Sequence, residues 1–292
     1  MSERGLEGVG YKVTTPISFV LPSMIFILAI SIYPTLTGIF YSLKSGNFLQ
    51  LGRFVGAANY GKVLSLPEFW HSVSFTALFS LCAVLGSYLI GLGLALLLDK
   101  DVIGRGFFRV VLLVPWVIPS VVSIAGWRWL IGSQSGFVNT VLGVFGIHPV
   151  LFLANSSWAI VSVIVVKIWR SYPFMMVTML AQIQSIDRTL YEASAIDGAN
   201  SRQTFLHITV PHLTTVSIVS WILMTIWSVN DFDTIWLLTQ GGPSYATENL
   251  ILLAYRWAFS MNQVGISSAI AVITLIVLMA LASVVLRERQ RS

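Results

Sequence analysis

The sequence predicts an all-α polytopic membrane protein: six transmembrane helices, with a cytoplasmic helix-turn-helix between the fourth and fifth. Three observations predict it. Hydrophobic residues make up 56% of the chain and charged residues only 10%, where soluble domains carry about 25%. Mean hydropathy is +0.82, which is more apolar surface than a water-soluble core of 292 residues can hide. Apolar runs recur along the whole chain with no polar linker between two halves, so one structural unit is expected.

A helix needs about 20 apolar residues to cross the hydrocarbon region. Six segments qualify, at 17–41, 72–98, 108–131, 156–181, 213–238 and 262–286. The first is uncharged from Val13 to Leu43, 31 residues, and so reads as a retained span. The apolar core of a cleavable signal is only about 7–15 residues. Residues 69–98 and 257–286 contain no Asp, Glu, Lys or Arg. Barrel strands are shorter and alternate polar with apolar residues, which these runs do not. Pro22, Pro34, Pro115, Pro119 and Pro173 lie in or near spans and predict kinks there.

Six spans put both termini on one side. If that side is cytoplasmic, internal segments hold ten basic residues: Arg4, Lys12, Lys100, Arg105, Arg109, Arg188, Arg202, Arg287, Arg289 and Arg291. External loops hold four, Lys44, Arg53, Lys62 and Arg256, so the bias favours cytoplasmic termini. The expected layout is a cytoplasmic tail at 1–15, a transmembrane domain at 16–286 and a cytoplasmic tail at 287–292. Loops 44–70 and 240–260 are expected outside. The net charge of +5 thus belongs to cytoplasmic loops. No basic run is interleaved with exposed aromatics, so no nucleic-acid partner is expected. Cys82, the single cysteine, permits no intrachain disulfide and no thiolate metal site.

The polar stretch 183–211 carries turn chemistry and two short helical pieces. The first is expected over 188–197, with Thr189 and Glu192 at capping-box spacing. Gly198 can take a left-handed conformation and stop it. Asn200 or Ser201 can cap the second piece, Phe205 and Ile208 can share its apolar face, and Pro211 is expected to end it. The residues alone allow either a connector lying on the bilayer or a knob that docks a cytoplasmic partner.

The stretch resembles the EAA loop of permease subunits in ATP-binding-cassette importers of bacteria and archaea. That pattern is Glu-Ala-Ala, three residues, Gly, nine residues, Ile, one residue, Leu-Pro. Here Glu192, Ala193, Ser194, Gly198, Ile208, Val210 and Pro211 stand at those spacings, with Ser194 and Val210 as departures. Three further stretches are similar to the maltose-type carbohydrate branch, specifically the first of its two dissimilar permeases. They are RGFFRVVLLVPWVIPSVVSIAGWRWL, YEASAIDGAN with Asp197, and NDFDTIWLLTQGGPSYAT.

The resemblance implies an importer in the cell membrane of a bacterium or archaeon. Its implied partners are a second related permease, two ATP-binding subunits and an extracytoplasmic binding protein that delivers a sugar. Glu192, Ala193, Ser194, Asp197, Gly198, Ile208 and Pro211 would couple to the ATPase. No G-x-x-x-x-G-K-[ST] run occurs. The chain is therefore expected not to be an enzyme and to hold no cofactor of its own, with ATP and Mg on the partner.

Span chemistry agrees in kind. Trp227, Asn230, Asp231 and Asp233 bring an aromatic ring, an amide and carboxylates to one region, the mixture that stacks on and hydrogen-bonds to sugars. Trp236 could equally be an interfacial belt residue, and Asp231 or Asp233 could equally pair with a partner helix or cap the external loop. Lys167 and Arg170 stand three apart on the fourth span, Lys167 about eleven residues past its start. So deep a charge faces protein or a water-filled cavity. The pair would also suit an anionic substrate such as a glycerol phosphate ester, or another polyol, so the substrate class stays open. An ion-coupled secondary transporter would show inverted repeats and has no use for the EAA-like loop. A membrane enzyme is disfavoured because His71, His148, His207 and His212 are widely spaced.

Overall fold

The computed structural model describes residues 14–47, 50–101, 103–132 and 134–289. The expected cytoplasmic tails fall largely outside the described residues. The first helix, α1 (Thr14–Ser42), leads into a two-stranded antiparallel hairpin, β1 (Lys44–Gly46) and β2 (Leu51–Phe54). Then follow α2 (Ala58–Ser65), α3 (Pro67–Asp99), α4 (Arg105–Val117), α5 (Ser120–Ile131), α6 (Phe137–Val144) and α7 (Ser156–Ser185). The second half comprises α8 (Arg188–Ile196), α9 (Ser201–Thr204), α10 (Val210–Val229), α11 (Asp233–Leu238), α12 (Leu250–Tyr255) and α13 (Val264–Arg289).

Five helical stretches are long and apolar enough to cross a bilayer: Phe19–Ser42, Pro67–Asp99, Ser156–Ser185, Ser201–Val229 and Val264–Ser283. The sixth expected span, 108–131, is not one straight helix. It is α4 and α5, bent by 93°. The cause is local. Pro119 disfavours helical geometry at the residue before it, and Ile118 is extended at φ −67° and ψ 131°. Pro119, itself at ψ 139°, opens the next helix instead of continuing the last.

The fifth span also departs from its expected 213–238. Its helix starts at Ser201 and stops at Val229. Asn230 leaves helical geometry, and α11 restarts at Asp233 with the Asp231 carboxylate accepting the Thr234 N–H at 2.9 Å. Pro211 does not end the preceding piece. The helix runs through a π-helical turn at Phe205–Thr209, where the Val210 N–H reaches back five residues to the Phe205 carbonyl. That wider turn lies immediately ahead of Pro211 and eases its ring past the carbonyl four residues back.

The centre of the molecule is the α3–α7 pair. At Gly91 a Cβ would lie 2.6 Å from Met175 Cβ and 2.7 Å from the Met176 nitrogen, so only glycine permits this approach. Met175, Met176, Met179 and Met224 are fully buried around it and adapt to the irregular gaps. Toward the α8 end the core is Ala95, Leu98, Leu180, Ile183 and Leu213. Toward the other end Phe75, Phe79, Ile124, Val163, Val166, Ile235, Leu238 and Leu252 pack together. The apolar window of α1 is wholly unburied, and this helix touches the rest of the chain mainly along α13 and β1.

Segment 240–260, expected as an external loop, folds back as α12 and a π-helical turn with Leu250, Leu252 and Leu253 buried. Its backbone finds partners: the Leu250 N–H donates to Thr76 Oγ1 at 3.0 Å and the Leu252 N–H to Asn249 Oδ1 at 3.0 Å. Arg256, expected as a loop charge, is instead pinned inside. It donates to Glu248 at 2.7 and 2.9 Å and to Glu68 at 3.1 Å. Burial works against the guanidinium charge, but the hydrogen bonds and charges of Glu248 and Glu68 outweigh it and hold its pKa above the ordinary value.

Candidate functional site

Two constellations stand at different levels of the helix bundle. The first is the turn between α8 and α9. The expected Thr189–Glu192 capping box does not form. Asp187 stands in the role two residues earlier, its Oδ1 accepting the Thr189 N–H at 2.9 Å. That bond, together with the Thr189 hydroxyl, holds the Asp187 carboxyl below its ordinary pKa. Glu192 is left exposed on α8, beside exposed Ala193, and borders the cleft that α8 forms with the end of α3.

Gly198 has φ +77°, the left-handed conformation that its position requires. The Ala199 N–H closes the turn on the Ser194 carbonyl at 2.9 Å. Asn200 is the second cap and forms a full capping box with Gln203, the two reciprocal bonds measuring 3.0 and 2.8 Å. Ser194 Oγ meets Thr204 Oγ1 at 3.3 Å, and Tyr191 OH meets Thr209 Oγ1 at 3.1 Å, so the arms are braced. Asp197 is exposed at the tip, and Ile208 and Pro211 lie on the second arm, Ile208 half-buried. Ile196 is 86% exposed, a large apolar side chain presented outward. Sequence reasoning passed over Gln203, Tyr191 and Ile196. The capping-box spacing from Asn200 to Gln203 was the available signal for the first.

The second constellation lies where α10 breaks. Lys167 Nζ is 2.7 Å from Asp231 Oδ2, and both side chains are buried. Asp231 is doubly used, since it also takes the Thr234 N–H and hydroxyl, each at 2.9 Å. Arg170 Nη1 donates to Thr234 Oγ1 at 3.2 Å. A cavity of about 210 Å³ opens beside these groups, lined by Trp116, Lys167, Arg170, Ser171, Phe174, Met224 and Trp227. Its aromatic wall is continuous. Phe174 contacts Trp227 edge-on at 4.9 Å between ring centroids, and Trp116 lies 6.2 Å from Phe174.

Of the residues singled out in sequence, Lys167, Arg170 and Trp227 line this cavity, and Asp231 stands behind Lys167. Two do not join them. Asn230 is exposed and donates to its own helix at Ile226 O, 3.0 Å away. Asp233 is exposed and accepts from Ser120 at 2.9 Å, tying α11 to α5. Trp116 and Phe174 were missed, because an aromatic residue inside an apolar span carries no sequence signal that separates a cavity wall from a core. Among the described residues, no group of three or more His, Cys, Asp or Glu gathers to hold a metal ion.

Residues 87–291 match the family described as the binding-protein-dependent transport system inner membrane component. The chain belongs to that family. This permease is a transport subunit of an ATP-driven importer and not an enzyme, and in these importers ATP hydrolysis resides on a partner subunit. It is 36% identical over 269 residues to the trehalose/maltose transport system permease protein MalF of Thermococcus litoralis, covering 92% of this chain and 91% of that one. It is 33% identical over 271 residues to the sulfoquinovosyl glycerol transport system permease protein SmoG of Agrobacterium fabrum, covering 91% and 87%. The crystal structure of a bacterial transporter that imports the acidic polysaccharide alginate has the same fold, with a TM-score of 0.83 at 22% identity over 94% of this permease and 95% of that chain. The bent α4–α5 pair and the break after α10 are thus features of a membrane-embedded permease.

Proposed function

We propose that this permease passes a sugar, delivered by an extracytoplasmic binding protein, along its interface with a second, related permease. The observation that carries the reading is the cavity at the α10 break, where the rings of Trp116, Phe174 and Trp227 line the wall beside hydrogen-bond donors. Sugars present one apolar face and many hydroxyls, so stacking plus directed donors is the chemistry that recognises them. The names of the relatives from Thermococcus litoralis and Agrobacterium fabrum, both carbohydrate permeases, support it.

In this mechanism two ATP-binding subunits close on ATP and Mg and pull on the α8–Gly198–α9 knob. The pull reaches α10 directly, because Ser201–Val229 is one uninterrupted helical stretch from the knob to the break beside the cavity. Residues Glu192, Ala193, Asp197 and Ile196 would face the ATPase, while Ser194, Ile208 and Pro211 would keep the knob rigid. Alternating access then needs no covalent chemistry in this chain. The basic bias supports placing both termini and the knob in the cytoplasm, in the cell membrane of a bacterium or archaeon.

The test is reconstitution of the complete importer in proteoliposomes. Ligands are first screened against the purified binding protein by calorimetry. Uptake of the radiolabelled sugar so found is expected to require ATP, binding protein and Trp227, with Trp227→Ala lowering uptake several-fold. Uptake driven by an ion gradient without ATP would refute the proposal.

A further inference from the structure

We propose that the sugar carries an acidic group and that Arg170 receives it. The inference deepens the sugar-importer reading and rests on it. The cavity beside the α10 break is lined by two cations, Lys167 and Arg170. Lys167 is neutralised by Asp231 at 2.7 Å, and that carboxylate is already occupied by Thr234. The ion pairs among the described residues leave Arg170 with no carboxylate within 4.0 Å. Asp233, two residues past Asp231, is exposed and accepts a hydrogen bond from Ser120.

The cavity wall therefore carries one net positive charge at the depth of the spans, where an uncompensated charge is costly. How Arg170 is held gives the second argument. Its Nη1 is anchored on the neutral Thr234 hydroxyl at 3.2 Å. Its Nε is buried and has no partner. The guanidinium edge opposite the anchored nitrogen, Nε with Nη2, is the one that takes two oxygens of a carboxylate, sulfonate or phosphate in parallel. A neutral hydroxyl meets one donor at a time and leaves the charge unmatched. An acidic sugar ring beside Trp227 and Phe174, with its oxyanion toward Arg170 on the cavity wall, matches the charge.

The assembled importer in lipid nanodiscs tests this by saturation-transfer NMR, which reads weak binding and needs no binding protein. The probes are glucuronate, glucose and inorganic phosphate. Glucuronate is expected to bind about tenfold more tightly than glucose, the difference between a charge-assisted and a neutral hydrogen bond. Arg170→Gln should bring the two sugars to parity, and Arg170→Lys, which keeps the charge and loses the fork, should fall between. Equal binding of glucose and glucuronate to the native importer overturns the acidic-group inference and leaves the sugar reading standing. A preference that persists in Arg170→Gln, or no transfer to either sugar, also overturns it. Phosphate that displaces glucuronate as well as glucuronate does itself keeps the Arg170 anion site and removes the sugar reading.

Discussion

Gly198 and the Lys167–Asp231 pair are the positions where one side chain decides most. At Gly198 a Cβ would meet no heavy atom within 4 Å, so a methyl group crowds nothing and its cost is the φ of +77°. That cost is about 1–2 kcal/mol, and greatest for a β-branched side chain. Gly198→Val is expected to leave the spans inserted and to re-aim α9 against α8. ATP hydrolysis in proteoliposomes should then lose its stimulation by loaded binding protein, with Gly198→Ala milder. Full stimulation in the Val variant would make the turn a simple connector. At the buried pair, Lys167→Met strands the Asp231 carboxylate and should destabilise the permease by about 3–5 kcal/mol. Adding Asp231→Asn, which can still cap α11 through its amide oxygen, should recover most of the loss. Thermal unfolding of the two singles and the double in detergent measures it, and strict additivity would show that the two groups do not act as a pair.

Between elements, the determining contact is the close approach of α3 and α7. Gly91→Ala puts a methyl group within 2.6 Å of Met175 Cβ and should cost about 1–3 kcal/mol through forced separation of the helices. Gly93→Ala on the same helix has open space around it and should gain up to about 1 kcal/mol from helix propensity alone, so the pair separates packing from propensity. Midpoints of thermal unfolding that shift equally for both would contradict the packing argument. The first turn of α8 gives a pH expectation. The Asp187 pKa is lowered in the folded state, so its cap is fully present above the unfolded carboxylate value of about 3.9 and is lost only as pH falls through the folded pKa. Hydrogen exchange of 188–196, corrected for intrinsic rates, should show constant protection from pH 7 to 5, and weaker protection throughout for Asp187→Ala. A midpoint between pH 5 and 7 would show that another group holds the helix end.

For the whole molecule, the question is which end faces which compartment. The α8–α9 turn and the 240–249 turn are assigned opposite sides by the basic bias. In a Cys82→Ala background, cysteines at exposed Ala193 and exposed Ser244 should label from opposite sides of sealed vesicles. Labelling of both from outside would sink the topology. The same scale explains α1. A helix whose apolar window is entirely unburied by its own chain is stable only against lipid or another subunit, which fits the proposed pairing with a second permease.

The sequence by itself determined the fold class, the places of the long apolar helices, Gly198 and the outline of the α8–α9 turn. These follow from local quantities: the length of an apolar run, the backbone freedom of glycine, the capping chemistry of Asn200. Tertiary structure decided the rest. A hydropathy run cannot register that the chain turns through 93° at Pro119, or that α10 stops at Val229, because apolar residues continue on both sides of each break. Nor could it distinguish Arg256 in a solvated loop from Arg256 pinned between Glu248 and Glu68, one of them 188 residues away in the chain. The cavity was half legible. Charge marked Lys167 and Arg170, since a charge in a span needs a reason. Trp116 and Phe174 became its wall only when α4 bent and packed against α7, for an aromatic ring is equally at home in lipid, in a core or against a sugar.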